Sequence, residues 1–342
     1  MPTLAVGMLR HSAVFSMPTA SVGMAPAFPQ RKPMKTPRIV VVGSVNADMV
    51  VKSQWIPKPG ETVTGGQFVM AAGGKGANQA VAAARLGAAV TFVAKVGQDM
   101  FGDQAVANYQ QEGMDTRFIA RDPQHATGVA LIMVDDKGEN LISVASGANH
   151  SLTPADVDRA AEAIRGADMV MLQLEIPMEV VEHTAALAAA AGVPVILNPA
   201  PAAPLSQDVL RHVTYLTPNE SEAERLTGLP VRDEATARAA AQKLLDSGVR
   251  CVILTMGAKG ALLVTAEDAR VAPAFFVEAR DTTAAGDAFC GGVACAIARG
   301  APLFDAVREA SLVAAFSVTR LGAQPSLPTA AELREFAEKV GK

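Results

Sequence analysis

Aromatic side chains are few: one Trp, two Tyr and 12 Phe make up 4% of the 342 residues, although 50% of the chain is hydrophobic. Alanine supplies much of that half. Cysteine is rarer still, with three residues (Cys251, Cys290 and Cys295) and no C-x-x-C spacing, which excludes a disulfide framework. Cys290 and Cys295 point to different faces of any helix that carries them and cannot chelate one metal together. The five histidines are scattered, without an H-x-x-x-H pair. No apolar run is long enough to span a bilayer; the longest, Ala185–Leu197, is broken by Gly192 and Pro194. An excess of one charge is also missing: 30 basic against 34 acidic residues give a net charge of −4, which offers no general footprint for nucleic acid or a membrane surface. What these absences leave is a cytoplasmic α/β enzyme, long enough to bury one large core or two smaller ones.

Residues 1–36 have no Asp or Glu and carry five prolines, among them Pro26, Pro29 and Pro33. They read as a disordered N-terminal extension ahead of a domain at 37–342, either upstream of a start at Met34 or as a basic leader of targeting type. From Arg38 onward short Val/Ile/Leu runs alternate with helical stretches. The expected strands are Ile39–Gly43, Thr91–Val96, Met169–Leu174, Pro194–Asn198, Thr214–Thr217, Cys251–Met256 and Ala261–Thr265. Helices are expected at Ala77–Leu86, Asp103–Glu112, Pro154–Ile164, Met178–Ala190, Glu220–Thr227, Glu234–Leu245, Ala285–Ala298, Leu303–Thr319 and Thr329–Val340. The alternation implies an α/β fold with a doubly wound, mostly parallel sheet flanked by helices. Asp48–Met70 and Thr127–Ala145 break the rhythm as strands without helices, with a hairpin turn at Lys137-Gly138. They are expected to form a small antiparallel β lid over the ligand edge.

Two segments carry chemistry. Gly73-Gly74-Lys75-Gly76-Ala77-Asn78 precedes a helix, where bare backbone N–H groups can face a polar ligand. It is neither a Walker A loop, since Gly76 follows Lys75, nor a G-x-G-x-x-G fingerprint. Asp281-Thr282-Thr283-Ala284-Ala285-Gly286-Asp287 opens an apolar helix with small residues, which leaves N–H groups free to hold a phosphoryl group in transfer. An Asp there repels phosphate but suits a base that accepts the proton of an attacking hydroxyl. Taken alone, the same segment is an ordinary helix start capped by Asp and Thr.

Together with Gly43-Ser44-Val45-Asn46-Ala47-Asp48, Pro59-Gly60-Glu61-Thr62-Val63, Asn198-Pro199-Ala200-Pro201 and Thr217-Pro218-Asn219-Glu220-Ser221-Glu222, these segments match in order and spacing. Over residues 38–342 the chain resembles the ribokinase family of carbohydrate kinases. Ala284 stands where the wider family has Gly, a departure common among the members that act on ribose. The resemblance implies ATP-dependent phosphorylation of the 5-hydroxyl of D-ribose. It makes Asp287 the base, with Ala284, Ala285 and Gly286 as the anion hole. It places the sugar on Asn46, Asp48, Gly74, Lys75, Gly76, Ala77, Asn78, Glu175 and Asp287. ATP falls on Asn219, Thr255, Met256, Gly257, Ala258, Lys259, Gly260, Gly286 and Asp287, with Ser311 at the adenine edge and Glu222 organising Mg²⁺. A K⁺ site is implied at Asp281, Thr283, Ser317, Arg320, Gly322 and Ser326, and a homodimer through the lid.

Apart from the resemblance, Asn46 and Asp48 read as turn residues, Glu175 as a loop acid, Glu222 as part of a solvated acidic face, and Arg320 and Gly322 as a loop after a helix. The competing activities are a sibling kinase for deoxyribose, another sugar or a nucleoside, and a non-catalytic sugar-binding relative.

Overall fold

The computed structural model describes residues 36–340. The reading of residues 1–36 as an extension therefore lies outside the described residues, save for Thr36. A large sheet of nine strands runs in the order β13-β12-β11-β10-β9-β8-β1-β4-β5. Its strands are β1 (Arg38–Val42), β4 (Ala89–Gly97), β5 (Ile119–Asp122), β8 (Met169–Leu172), β9 (Val195–Leu197), β10 (Tyr215–Leu216), β11 (Cys251–Thr255), β12 (Ala261–Thr265) and β13 (Ala269–Ala272). All pairs from β11 across to β5 are parallel; β12 and β13 complete one edge antiparallel. The central strands carry buried Val, Ile, Leu and Met at nearly every position because helices cover both faces.

Those helices are α1 (Lys75–Arg85), α2 (Met100–Gln111), α3 (Pro154–Asp158), α4 (Ala161–Arg165), α5 (Met178–Ala190), α6 (Gln207–Leu210), α7 (Glu220–Thr227), α8 (Glu234–Asp246), α9 (Ala285–Ala298), α10 (Leu303–Ser317) and α11 (Ala330–Val340). One core joins α1, α9 and α10 to one face of the sheet, and a second joins α3, α5 and α8 to the other. Alanine and glycine decide how closely the first layer packs. α9 is buried from Asp287 through Ala296, and a Cβ on Gly291 would collide with Ala82 of α1.

The lid is a second sheet in the order β3-β2-β6-β7, made of β2 (Asn46–Lys52), β3 (Gln67–Gly73), β6 (Gly128–Val134) and β7 (Asn140–Ala145). Its outer pairs are antiparallel, as expected, and β2 and β6 join them side by side in parallel. Lys137-Gly138 lies in the β6–β7 turn, where Gly138 has φ 82° and the Asp135 carboxylate accepts the N–H groups of Lys137 and Glu139. The expected helix Pro154–Ile164 is interrupted between α3 and α4. α6, β5 and β13 are not expected from the sequence; each is only four residues long, too short to show a period.

Candidate active site

The site lies beyond the C-terminal ends of β1, β8, β9 and β10, where doubly wound sheets gather ligands. The chain leaves β1 through Gly43-Ser44 and enters the lid at Asn46, which pairs with Gly73 at the end of β3. Gly74 then turns at φ 89°, a left-handed conformation suited to glycine, and α1 begins. A Cβ on Gly76 would strike the backbone of Gly43 and Ser44, so only glycine lets α1 start this close to the end of β1. Glu175, just past β8, fastens the junction: its Oε2 accepts the Ser44 hydroxyl and, at 2.9 Å, the Lys75 N–H. Asn46, Asp48, Glu175 and the segment from Gly74 to Asn78 are thus brought together as the resemblance implied, and not as the separate turn and loop residues that they read as without it. Asn149, which no motif marks in the sequence, fixes Asn46: its Nδ2 donates to Asn46 Oδ1 at 2.8 Å, and it clasps the Val45 backbone through both amide atoms. The Asn46 amide N–H groups take no part in this clasp.

Across from this junction, α9 begins without any side-chain cap, which removes the capping alternative for its start. Ala284, at φ 57°, is the only non-glycine residue with positive φ among the described residues, and it swings the chain so that the N-terminus of α9 opens onto a cavity of about 210 Å³. The Ala285 N–H is engaged by the Thr282 carbonyl at 3.2 Å, which leaves the neighbouring N–H groups the more open to the cavity. The cavity is lined by Lys75, Asn219, Glu222, Thr255, Asp287 and the turn Ala284–Gly286, together with Thr217, Asn198 and Cys290, to which the sequence reading gave no role. Asn198 and Thr217 directly follow the buried strands β9 and β10, which is the signal that could have marked them.

Asp287 is 6% exposed. Its Oδ2 accepts from Asn78 Nδ2 at 2.9 Å and its Oδ1 from Gln79 Nε2 at 3.0 Å. Burial pushes its carboxyl above the ordinary range, with Lys75 and the two amides pulling the other way and Glu175 adding to the rise. Burial lowers the Lys75 ammonium, but the carboxylates of Asp287, Glu175 and Glu222 outweigh it and keep the lysine charged. Asp48 is raised to about 7 by burial and by Glu175 and Asp287, against Lys75. Cys290, beside the Thr217 hydroxyl at 3.3 Å, is pushed up by burial to about 12 and stays a thiol.

The Asn219-x-x-Glu222 spacing is also a capping box: Asn219 Oδ1 accepts the Glu222 N–H at 2.8 Å, and Glu222 Oε2 accepts the Asn219 N–H at 2.9 Å. Both nevertheless face the cavity, so the solvated-face alternative does not hold for Glu222, which is 9% exposed. Thr255 joins them through a bridge to Asn219. Gly257–Lys259 form an exposed 3-10 turn, with Met256 and Gly260 buried at its ends and Lys259 paired to Glu220 at 3.0 Å. Ser311 does not join the cavity; it is buried on α10 with its hydroxyl on the Val307 carbonyl.

Asp281 links two distant segments. Its Oδ1 accepts the Thr283 hydroxyl and N–H, and its Oδ2 accepts the Gly322 N–H at 2.8 Å. Burial raises its carboxyl, but these donors outweigh burial and hold it below its ordinary value. The buried Ser317 and Ser326 donate to Ala314 O and Ala323 O, which leaves oxygen lone pairs uncommitted. The Arg320 side chain turns elsewhere, onto the Phe316 ring at 4.2 Å and Glu332 at 2.9 Å.

Residues 36–330 match the model of the pfkB family carbohydrate kinases. The chain is 45% identical to the ribokinase of Haemophilus influenzae over 300 residues, covering 88% of this chain and 98% of that protein. It is 41% identical to the deoxyribokinase of Salmonella typhi over 299 residues, covering 87% and 98%. The structure superposes on that of Arabidopsis thaliana ribokinase complexed with ribose and ATP with a TM-score of 0.84, at 32% identity and coverage of 88% of this chain and 99% of that one. The chain belongs to the pfkB family of carbohydrate kinases.

Proposed function

We propose that the protein transfers the γ-phosphoryl group of ATP to the 5-hydroxyl of D-ribose, giving D-ribose 5-phosphate. The observation that carries this is a buried carboxylate, Asp287, set in the first turn of an uncapped helix that opens onto a cavity containing Lys75, Asn219 and Glu222. Asp287 takes the proton as the hydroxyl oxygen attacks phosphorus. The α9 N-terminus and the Lys75 ammonium hold the charge that moves onto the transferred group, and Asn219 and Thr255 hold the nucleotide phosphates. Gly257–Lys259 belong to the outer nucleotide surface in this reading; Ser311, buried on α10 with its hydroxyl on Val307 O, presents no free group to the nucleotide here, and its place at the adenine edge rests on the resemblance alone.

Glu222 fits a role in organising Mg²⁺: Oε2 is spent on the capping box, while Oε1 has no hydrogen-bond partner among the described residues. Mg²⁺ supplies charge neutralisation to the phosphates when bound. Asp281, Thr283, Ser317, Ser326 and the backbone around Arg320 and Gly322 fit K⁺, because they offer one ionised carboxylate among neutral oxygens. The cytoplasm, where thiols stay reduced, suits an ATP-using chain whose three cysteines are free and buried.

Asn46 favours ribose over deoxyribose. Its Oδ1 is occupied by Asn149, so it offers amide N–H groups that pair with a hydroxyl a deoxy sugar lacks. The second reading, a deoxyribose kinase, draws on the likeness to the Salmonella typhi enzyme. A phosphoryl-transfer assay over pentoses, deoxyribose, hexoses and nucleosides decides between them. D-ribose should show the highest kcat/KM; equal or greater activity on deoxyribose would overturn the assignment.

We also propose that the lid pairs with the lid of a second subunit. Strand register puts Val51, Phe68, Met70, Leu131, Met133 and Leu141 on one face of the lid, each exposed. An apolar sheet face of this extent is a surface for burial against a copy of itself.

A further inference from the structure

The carboxylate of Asp287 is met by neutral amides, and an amide presents either of two opposite ends. With N–H forward it donates to the carboxylate; with C=O forward it repels it. What selects the end lies one layer behind. Gln173 Nε2 donates to Gln79 Oε1 at 2.7 Å, which turns the Gln79 Nε2 toward Asp287 Oδ1 and, at 3.1 Å, Asn198 Oδ1. Gln324 Nε2 donates to Asn78 Oδ1 at 3.3 Å, which turns the Asn78 Nδ2 toward Asp287 Oδ2. Gln173 follows β8, Gln324 lies in the 3-10 turn Gln324–Ser326, and both are buried, at 0% and 7% exposure. Gln173 Oε1 has no hydrogen-bond partner among the described residues, a desolvation cost that an apolar side chain of the same size would avoid. The chain even leaves space for that oxygen, since a Cβ on Gly43 would collide with it.

We propose that Gln173 and Gln324 are positioning residues for phosphoryl transfer: each locks a neighbouring amide with its N–H groups toward Asp287, so that the carboxylate is held ionised and aimed. This rests on the reading of Asp287 as the base. The other charged groups around Asp287 are Lys75 on α1, Glu175 after β8, Asp48 on β2 and Glu222 on α7, with the Cys290 thiol on α9. None of them touches Gln173 or Gln324 by a hydrogen bond, so replacing either amide leaves these charges in place. Without its lock, the inner amide spends part of its time reversed, and Asp287 binds its proton more tightly.

The test is the pH profile of kcat for Gln173→Met and Gln324→Met, which keep side-chain length and remove the amide. For each variant the acid limb should move up by roughly 0.5–1 pH unit, about a 3- to 10-fold loss of kcat below the limb that is recovered at high pH. KM for sugar and for ATP should stay within about two-fold of the parent, since neither residue is placed on a ligand. A merely structural role lowers kcat by the same factor at every pH, and that result, or an unmoved profile, overturns the inference. If Gln173→Met does not fold, Gln324→Met decides alone, because its side chain lies nearer the surface. Asp287→Asn is measured in parallel: wild-type turnover there would sink the base assignment itself, whereas an inactive Asp287→Asn with unmoved Gln variants would sink only the role of the amides.

Discussion

Asp48 keeps its proton up to about pH 7 in the folded protein, because burial and the carboxylates of Glu175 and Asp287 disfavour its charge. The unfolded chain releases that proton near the ordinary value of 3.8. Between these values the folded state binds more protons than the unfolded one, so stability falls as pH rises across the window and stays reduced above it. Asp48→Asn should therefore raise the unfolding free energy at pH 8 by a few kcal/mol, at roughly 1.4 kcal/mol for each pH unit of that window, with the gain vanishing near pH 4. The same change should raise KM for ribose. Thermal melts at both pH values check the first point, and an equal gain at each would contradict it. Ala284 is a second residue under tension. Its left-handed backbone costs about 1 kcal/mol, and Ala284→Gly removes that cost while adding about 0.4–1 kcal/mol of unfolded-chain entropy. The stability of Ala284→Gly should stay within about 1 kcal/mol of the parent, whereas Ala284→Val should lose about 1–3 kcal/mol. Denaturant titration separates the two outcomes.

α1 holds the site because Gly76 admits it against the end of β1. Gly76→Ala drives a methyl group into the backbone of Gly43 and Ser44, which cannot yield as a side chain would. It should cost about 2–4 kcal/mol in a denaturation experiment and displace Asn78 and Gln79, lowering kcat as well. Among the elements, the sequence is informative wherever apolar periodicity is long. α5, α7, α9 and β12 fall on their expected bounds, and β11 nearly so. Expected strand ends run too far where a polar residue leaves the sheet toward the site, as at Gln173 after β8. The break between α3 and α4 leaves no mark in composition. Asn219 and Glu222 are legible by resemblance, and their reciprocal cap, absent from the sequence expectations, has the spacing of a known helix start. The partners of Asp287 are hardest to read. Gln173 and Gln324 lie far from it in sequence, and a single buried glutamine has no pattern; only the fold shows which amide it faces.

For the whole molecule, the exposed apolar face of the lid is where the proposed pairing of two subunits is tested. Leu131→Asp places a charge in the exposed apolar face opposite Asp48 and should convert a dimer to a monomer at micromolar concentration by light scattering, with the main domain still folded. A parent protein that is monomeric and fully active would contradict the paired lid. Most of the architecture follows from alternating buried strands and helices, and the position of the site follows from where glycines and small residues open helix starts beyond them. The role proposed for Asp287 is to move the proton in phosphoryl transfer to ribose. Its most direct test is single-turnover transfer from ATP to D-ribose by the purified parent and by Asp287→Asn, with sugar and nucleotide binding measured on both. Binding should stay within a few-fold and transfer should slow by about 10²–10⁴ in the variant; transfer at the parent's rate by a folded Asp287→Asn protein would contradict the assignment.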